Sequence, residues 1–206
     1  MNSIEHLIEN VSDMNQFAEE YFNYLSGLLR QLDVSKIKEF AEELESAREN
    51  QNTIFFIGNG GSAATASHMA NDFGFGSRIH VDPPLRTLSL TDNVAAMTAV
   101  ANDSGYDNLF IRQIQLHYRP GDKLVAISAS GNSPNVVVAA EWIKEKGGKV
   151  IGLTGFDGGK LREISDISIL VKTPKGEYGP VEDIHMILDH LVYTWLWDKK
   201  RRGQNK

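Results

Sequence analysis

The apolar side chains of residues 3–29 recur at the spacing of an amphipathic helix. This stretch contains one glycine, Gly27, and no proline. Its apolar positions repeat about every 3.6 residues over roughly seven turns; they are Ile4, Leu7, Ile8, Val11, Met14, Phe17, Ala18, Tyr21, Phe22, Leu25, Leu28 and Leu29. The pattern predicts one long helix, then a second helix over residues 34–49 after Asp33. The apolar face is broader than one contact needs, which favours burial in an oligomer, although docking on the chain's own sheet would also cover it.

From residue 53 the pattern changes to short apolar runs that alternate with helical segments. The runs predict buried strands at Thr53–Ile57, Arg86–Leu90, Leu124–Ile127, Lys149–Leu153 and Ile167–Val171. Helices are predicted near 63–74, 92–102, 107–117 and 134–146, and from near Pro180 to about Trp197. Strands alternating with helices predict parallel β-α-β units and a sheet covered on both faces. We therefore expect a helical extension over residues 1–50 and one α/β domain over residues 51–198.

Composition and charge narrow the class of protein. With 206 residues, the chain is long enough for one α/β domain with a full core. A net charge of −6 argues against a nucleic-acid surface. The chain has no cysteine, which excludes a disulfide framework, a cysteine nucleophile and thiolate metal ligands. Without a signal-peptide pattern or an apolar run of roughly 20 residues, we expect a cytoplasmic protein that does not bind a membrane.

Two predicted strands end in loops that are rich in glycine and serine. The first loop lies between a strand and a helix and contains Asn59, Gly60, Gly61 and Ser62. The second follows another strand and contains Ser128, Ser130 and Ser133. Helix N-termini and closely approaching glycine backbone bind anions, and the carboxyl ends of parallel strands meet at one edge of a sheet. Together the two loops predict a bound phosphoester, although either alone would be a weak signal.

The details of these loops set further expectations. Ser133 fits a helix N-cap and Pro134 fits the first helical position. Neither the dinucleotide-binding spacing nor the P-loop spacing is present, so we expect no nucleotide cofactor. A third glycine-rich segment, residues 154–159, is interpreted as a simple turn.

Histidines and carboxylates are concentrated on two of the predicted helices. His68 and Asp72 are four residues apart and share one helix face. On the last helix Glu182 and His190 are eight residues apart, about 80° from each other around the axis. His185 and Asp189 are assigned to the polar side of that helix. Such a set suits either proton transfer or a divalent metal such as zinc.

Several segments, in order, resemble the phosphoheptose isomerases of the SIS family. They are GNGGSAATASHMANDFG, TDNVAAMTAVANDSGYD with its Asn102 and Asp103, SASGNSPNVVVAA, LTGFDGGKL and IHMILDH. The resemblance covers nearly all of residues 50–197. It implies a flavodoxin-like three-layer sandwich with a parallel sheet, assembled as a homotetramer through the N-terminal helices. It also implies a phosphorylated sugar as substrate.

The resemblance also implies roles for particular residues. Ser62, Ser128, Ser130 and Ser133 would hold the phosphate, and the sugar would contact Asn59, Gly60, Gly61, Asn102, Asp103 and Glu182. The family's catalytic and metal-binding positions, which are His, Glu, Gln and His, fall on His68, Asp72, Glu182 and His190. Catalysis would rest on Asp72 and His190, and these four positions would bind one Zn²⁺.

The expected reaction is the isomerisation of sedoheptulose 7-phosphate to D-glycero-D-manno-heptose 7-phosphate through an enediol. Three departures from the family pattern leave the sugar open: Asp72 is one methylene shorter than the glutamate, Glu182 replaces a glutamine, and Gly179 replaces an aspartate. One alternative is an isomerase of another sugar phosphate in surface-polysaccharide synthesis. Another is a non-catalytic SIS protein that binds a regulatory sugar phosphate or a replication initiator; such proteins keep the loops and lack the histidines and carboxylates.

Overall fold

A five-stranded parallel sheet forms the centre of the protein. The computed structural model describes residues 3–76 and 82–204, with side chains through Leu196. The strands are β1 (Thr53–Gly58), β2 (Arg86–Ser89), β3 (Lys123–Ser128), β4 (Lys149–Gly155) and β5 (Ile167–Val171). Their order is β2-β1-β3-β4-β5, and every neighbouring pair is parallel. The predicted sheet is confirmed, with strand bounds that differ from the predicted ones by at most two residues at either end.

Helices cover both faces of the sheet. They are α1 (Ser3–Asn10), α2 (Met14–Leu29), α3 (Val34–Glu49), α4 (Gly61–Asn71), α5 (Val94–Ser104), α6 (Leu109–His117), α7 (Pro134–Glu145), α8 (Gly159–Ile164) and α9 (Tyr178–Gln204). One core joins the sheet to α3, α4 and α9, and a second joins it to α5, α6, α7 and α8. Phe55 and Phe56 point into opposite cores and are both fully buried, as successive residues of a strand covered on two faces must be. The fold is the expected three-layer sandwich.

The N-terminal extension contains a break that the apolar pattern did not predict. The single helix predicted over residues 3–29 is wrong, because α1 ends at Asn10 and α2 begins at Met14. Asp13 occupies the N-cap of α2, and its carboxylate accepts a hydrogen bond from the Gln16 backbone at 2.9 Å. A short polar side chain that bonds nearby backbone N–H groups favours a helix start over a helix interior. The helix predicted at 34–49 is confirmed, with Asp33 as its N-cap.

Two tyrosines of α2 hold the beginning of α9 in place. The hydroxyl of Tyr21 donates to the Asp183 carboxylate at 2.6 Å. The Glu177 carboxylate, which is buried, accepts from the Tyr24 hydroxyl and from the Ile4 backbone N–H at 3.1 Å. Burial, and then the bond to Glu177, raise the pKa of Tyr24 to about 12, so this hydroxyl stays a proton donor at neutral pH. The N-terminal helices therefore fix the position of the first turns of α9.

The segment after β4 is a glycine-rich turn between a strand and a helix, as interpreted from sequence, and it also packs against the loop after β3. It leads into α8, whose Leu161 backbone N–H donates to the Gly131 carbonyl at 2.8 Å. Gly158 and Gly159 have φ values of 93° and 52°, which glycine adopts without strain. A β-carbon on Gly131 would lie 1.8 Å from the Gly158 carbonyl oxygen, so the two loops pack backbone to backbone. This segment supports the loop that follows β3.

Two polar residues of α9 lie in its buried face, contrary to the sequence interpretation. His185 and Asp189 are both fully buried. They share the stripe of Val181, Ile184, Leu188 and Val192 that packs on the sheet. Their spacing of four residues places them on the same face of the helix.

Within the described residues, no helix is both long and apolar enough to cross a bilayer.

Burial of His185 should make the stability of the fold sensitive to acid. Its Nε2–H donates to the Thr154 carbonyl at 3.3 Å, and burial lowers its pKa from 6.5 to about 4. Between pH 6.5 and about 4, His185 binds a proton in the unfolded chain but not in the folded chain. The contribution of His185 to stability is therefore fully present above pH 6.5 and is lost as the pH falls. We expect the free energy of unfolding of the native protein, relative to His185→Gln, to fall by about 1.4 kcal/mol per pH unit from pH 6.5 towards 4.

The comparison is made by urea unfolding of both proteins across this pH range. Glutamine keeps a donor for Thr154 and does not titrate, so the difference between the two proteins isolates the histidine. A difference that stays constant with pH would contradict the prediction.

Candidate active site

The first glycine-rich loop joins β1 to α4 at the carboxyl edge of the sheet. Gly60 has a φ of 55° and precedes the first residue of α4. A β-carbon on Gly58 would lie 2.5 Å from the Ser62 carbonyl oxygen, so only glycine allows this tight turn. Ser62 lies in the first turn of α4, where backbone N–H groups have no partner within the helix. The loop therefore presents backbone N–H groups at the start of α4, and anion binding there stays a prediction.

Three serine hydroxyls meet in the loop between β3 and α7. The Ser128 hydroxyl lies 3.5 Å from that of Ser130 and 3.3 Å from that of Ser133. Pro134 is the first residue of α7, as predicted. Ser133 is the N-cap residue, as predicted, although its side chain makes no capping hydrogen bond. Its hydroxyl instead faces the other serines, where a phosphate oxygen can accept from it.

Asparagine side chains connect the two loops. The amides of Asn59 and Asn135 exchange two hydrogen bonds of 2.9 Å, and the Tyr106 hydroxyl donates to Asn59 at 3.0 Å. Sequence reasoning missed Asn135 and Tyr106; the position of Asn135 directly after Pro134 was the available signal. Asn102 and Asp103 pair with each other at 2.7 Å on the exposed end of α5.

Glu182 reaches the first loop from the beginning of α9. A β-carbon on Gly61 would lie 2.2 Å from its Oε2 atom, so the carboxyl group rests against the N-terminus of α4. Burial, followed by the charge of Asp183, raises the pKa of Glu182. The structure thus places Glu182 beside the first loop.

Four side chains of α4, the following turn and α9 converge. They form the His–Asp cluster, which consists of His68, Asp72, Asp189 and His190. The two Nε2 atoms of the histidines lie 3.1 Å apart. His68 Nε2 also lies 3.5 Å from Asp72 Oδ2 and 3.7 Å from Asp189 Oδ2. One potential ligand atom from each residue falls within 4.8 Å of all the others.

Asp189 occupies the place in this cluster that the sequence interpretation gave to Glu182. Its side chain is fully buried, and neither carboxylate oxygen has a hydrogen-bond partner. Burial, and then the charge of Asp72, raise its pKa to about 7. Two imidazoles and two carboxylates around one point suit a divalent cation such as Zn²⁺. The donors present therefore fit a metal ion.

The cluster is open on its histidine side. The side chains of His68 and His190 are 42% and 57% exposed, whereas Asp72 is largely covered. A π-helical turn, Asp72–Gly76, continues from α4 and carries Asp72. Gly74 permits this turn to approach β2, because a β-carbon there would lie 2.2 Å from the Thr87 hydroxyl. π-Helical turns are frequent at functional sites.

A hydroxyl network missed by sequence reasoning lies on the other side of His68. The Ser67 hydroxyl contacts Thr91 at 2.8 Å and donates to Asp92. Thr91 and Asp92 follow β2, so they lie at the same carboxyl edge as both loops. That position after a strand was the signal for them.

Comparison with known proteins agrees with this architecture. The SIS domain family pattern matches residues 17–155. A phosphoheptose isomerase of Rhodospirillum rubrum is 46% identical, with 68% of this chain and 72% of that protein aligned. One from Nitratidesulfovibrio vulgaris strain Miyazaki F is 35% identical over 93% of this chain and 86% of that protein.

A solved structure shows the same relationship in three dimensions. The phosphoheptose isomerase of Neisseria gonorrhoeae superposes with a TM-score of 0.78 at 31% identity, covering 88% of this chain and 97% of that one. The SIS match includes both glycine- and serine-rich loops and the helix that carries His68. The chain belongs to the SIS domain family and, within it, to the phosphoheptose isomerases, which are sugar-phosphate isomerases.

Proposed function

We propose that the chain converts sedoheptulose 7-phosphate to D-glycero-D-manno-heptose 7-phosphate through an enediol. The observation that carries this proposal is the His–Asp cluster beside two serine- and glycine-rich anion loops. The loops supply the means to hold the phosphate at one end of an open-chain sugar. The cluster supplies groups that exchange protons at the other end.

The phosphate end is held by neutral donors. The proposed donors are the hydroxyls of Ser62, Ser128, Ser130 and Ser133, with the N-termini of α4 and α7 that the two loops lead into. Helix N-termini attract anions even in a chain of net negative charge. Anchoring the phosphate fixes carbons 1 and 2 of the sugar, and such positioning is a large part of the rate gain available to an enzyme.

Asp72 and His190 are the proposed acid–base pair. Asp72 removes a proton from carbon 1 of the ketose, which gives the enediol, and His190 returns a proton to carbon 2 and moves the hydroxyl protons. His68 contacts both, with its Nε2 3.1 Å from that of His190 and 3.5 Å from Asp72 Oδ2. Positioned proton transfer of this kind contributes about 10²–10⁴-fold to a rate.

The same groups form the proposed zinc site, with His68, Asp72, His190 and a second carboxylate as ligands. A bound divalent cation would polarise the substrate carbonyl and stabilise the charge of the enediolate. A carboxylate that binds metal is a weaker base. Asp72 is therefore the base in the free acid–base scheme and a metal ligand in the metal-assisted scheme. Removal of metal separates them.

The substrate proposal is tested by incubating the purified protein with a panel of ketose phosphates and following the products by NMR. We expect sedoheptulose 7-phosphate to react fastest, and unphosphorylated sedoheptulose to react far more slowly because it lacks the anchor. Faster turnover of another ketose phosphate would support the alternative of a different surface-polysaccharide sugar, which Gly179 and Glu182 favour as departures from the family pattern. No isomerisation of any member would contradict the proposal.

The proposed assembly is a tetramer. Ile8, Met14 and Phe22 of the first two helices are exposed large apolar side chains. Exposed apolar surface of this kind is typical of subunit interfaces. We expect light scattering at micromolar concentration to give four times the 22.9 kDa mass of one chain, and Phe22→Glu to give smaller species. A monomeric native protein would contradict this assembly.

We assign this reaction to the cytoplasm, where sugar phosphates are made and used. Its product would serve the synthesis of heptose-containing lipopolysaccharide or capsule.

A further inference from the structure

We propose that Asp189, rather than Glu182, is the second carboxylate ligand of the metal site. This inference rests on the proposed metal-assisted isomerase. It changes the ligand set expected from the family pattern, in which position 182 supplies the fourth donor.

The first support is the environment of the Asp189 carboxylate. Its side chain is fully buried, and both oxygens have no hydrogen-bond partner. A buried carboxylate without partners is strongly destabilising unless a cation or several donors compensate it. The nearest ionisable nitrogen is His68 Nε2, 3.7 Å away, and this atom also faces His190 and Asp72. A cation among these atoms would compensate the carboxylate directly.

The second support is the distance of Glu182 from the cluster. Its carboxyl group lies against Gly61, at the first residue of α4. The ligand atoms that lie within 4.8 Å of one another come from His68, Asp72, Asp189 and His190, and Glu182 does not belong to this group. A ligand oxygen of Zn²⁺ must approach the metal to about 2 Å. The observed position of Glu182 is therefore that of a phosphate-loop residue.

The third support is the way that Asp189 and His190 approach the site. Consecutive helical residues point about 100° apart, so His190 meets the cluster from its exposed side and Asp189 from the core. Asp72 is one methylene shorter than the family's glutamate, and Asp189 would supply the second carboxylate from the core side. Two carboxylates with two neutral imidazoles also balance the charge of a dication.

The chain's lack of cysteine provides a direct test with cobalt as the probe. Cobalt(II) bound by a thiolate shows an intense sulfur-to-metal charge-transfer band in the near ultraviolet, and any such band must come from an introduced cysteine. We expect the full-length Asp189→Cys protein to show this band with Co²⁺, and the matched Glu182→Cys protein to show none. A band in Glu182→Cys and none in Asp189→Cys would overturn the inference.

A second measurement covers the case in which Asp189→Cys does not fold. Calorimetric titration with Zn²⁺ is expected to show affinity weakened more than about 100-fold in Asp189→Asn, beyond the usual effect of losing a group that only orients a ligand. Glu182→Gln is expected to bind Zn²⁺ like the native protein. Equal affinity in native protein and Asp189→Asn, or a native protein that binds no metal, would overturn the inference.

These results are separable from the proposed isomerase activity. A native protein that binds Zn²⁺ through Asp189 but isomerises no sugar phosphate contradicts the proposed function and leaves the ligand assignment standing. An active isomerase whose Zn²⁺ affinity depends on Glu182 and not on Asp189 contradicts only the ligand assignment.

Discussion

Replacing His190 with alanine is expected to lower the isomerase turnover number by at least about 10³-fold. His190 takes part in both proposed schemes, as the proton donor to carbon 2 or as a metal ligand, so its loss removes either one. Its side chain is 57% exposed, and alanine favours a helix, so the substitution should cost the fold little. The phosphate loops lie elsewhere, and calorimetry should show nearly unchanged affinity for the sugar phosphate.

Two matched variants sharpen this experiment. His117→Ala removes an exposed histidine at the end of α6 and should leave turnover unchanged. Ser130→Ala should instead weaken binding of the sugar phosphate by about 1.5–3 kcal/mol, the value of a hydrogen bond to a charged group. Native turnover in His190→Ala would contradict both schemes and give the His–Asp cluster a structural role.

The sheet was the part of the fold most open to prediction from sequence. A strand buried on both faces needs consecutive apolar residues, and the predicted run Leu124–Ile127 lies within β3, which is buried along its whole length. The break between α1 and α2 was less visible because the apolar spacing continues through it. There a single capping aspartate, Asp13, decides the local structure.

The active site was only partly predictable for a physical reason. Helical spacing places His68 beside Asp72, since both lie on one face of the same segment. Asp189 could not be assigned in this way. From sequence alone, a carboxylate next to apolar helix positions can be either exposed or buried, and only the packing of the helix against the sheet decides which. Its burial against the sheet, beneath His68, is a property of the tertiary structure.

The position of Glu182 shows the same limit. Its spacing from His190 allowed convergence on one point, but spacing does not determine which way a long side chain extends. The close approach of α9 to Gly61 decides this, and that approach depends on the anchoring of α9 by Tyr21 and Tyr24.

Chelation is expected to abolish isomerase activity and to destabilise the fold together. Removing a cation from the His–Asp cluster would leave Asp72 and Asp189 facing each other without compensation, and Asp189 is fully buried. A ligand present at 100 times its dissociation constant stabilises the folded state by about 2.7 kcal/mol, and for a chain of this size that corresponds to a rise in Tm of about 5–10 °C. We therefore expect EDTA to lower the Tm by this amount and Zn²⁺ to restore both Tm and turnover.

Calorimetry before and after dialysis measures the change in Tm, and an NMR assay on the same samples measures the change in turnover. Mg²⁺ serves as the control, because its preference for oxygen ligands makes it a poor substitute in a site with two imidazoles. Turnover and Tm that are both indifferent to EDTA would contradict the metal-assisted scheme and leave Asp72 and His190 as free acid–base groups.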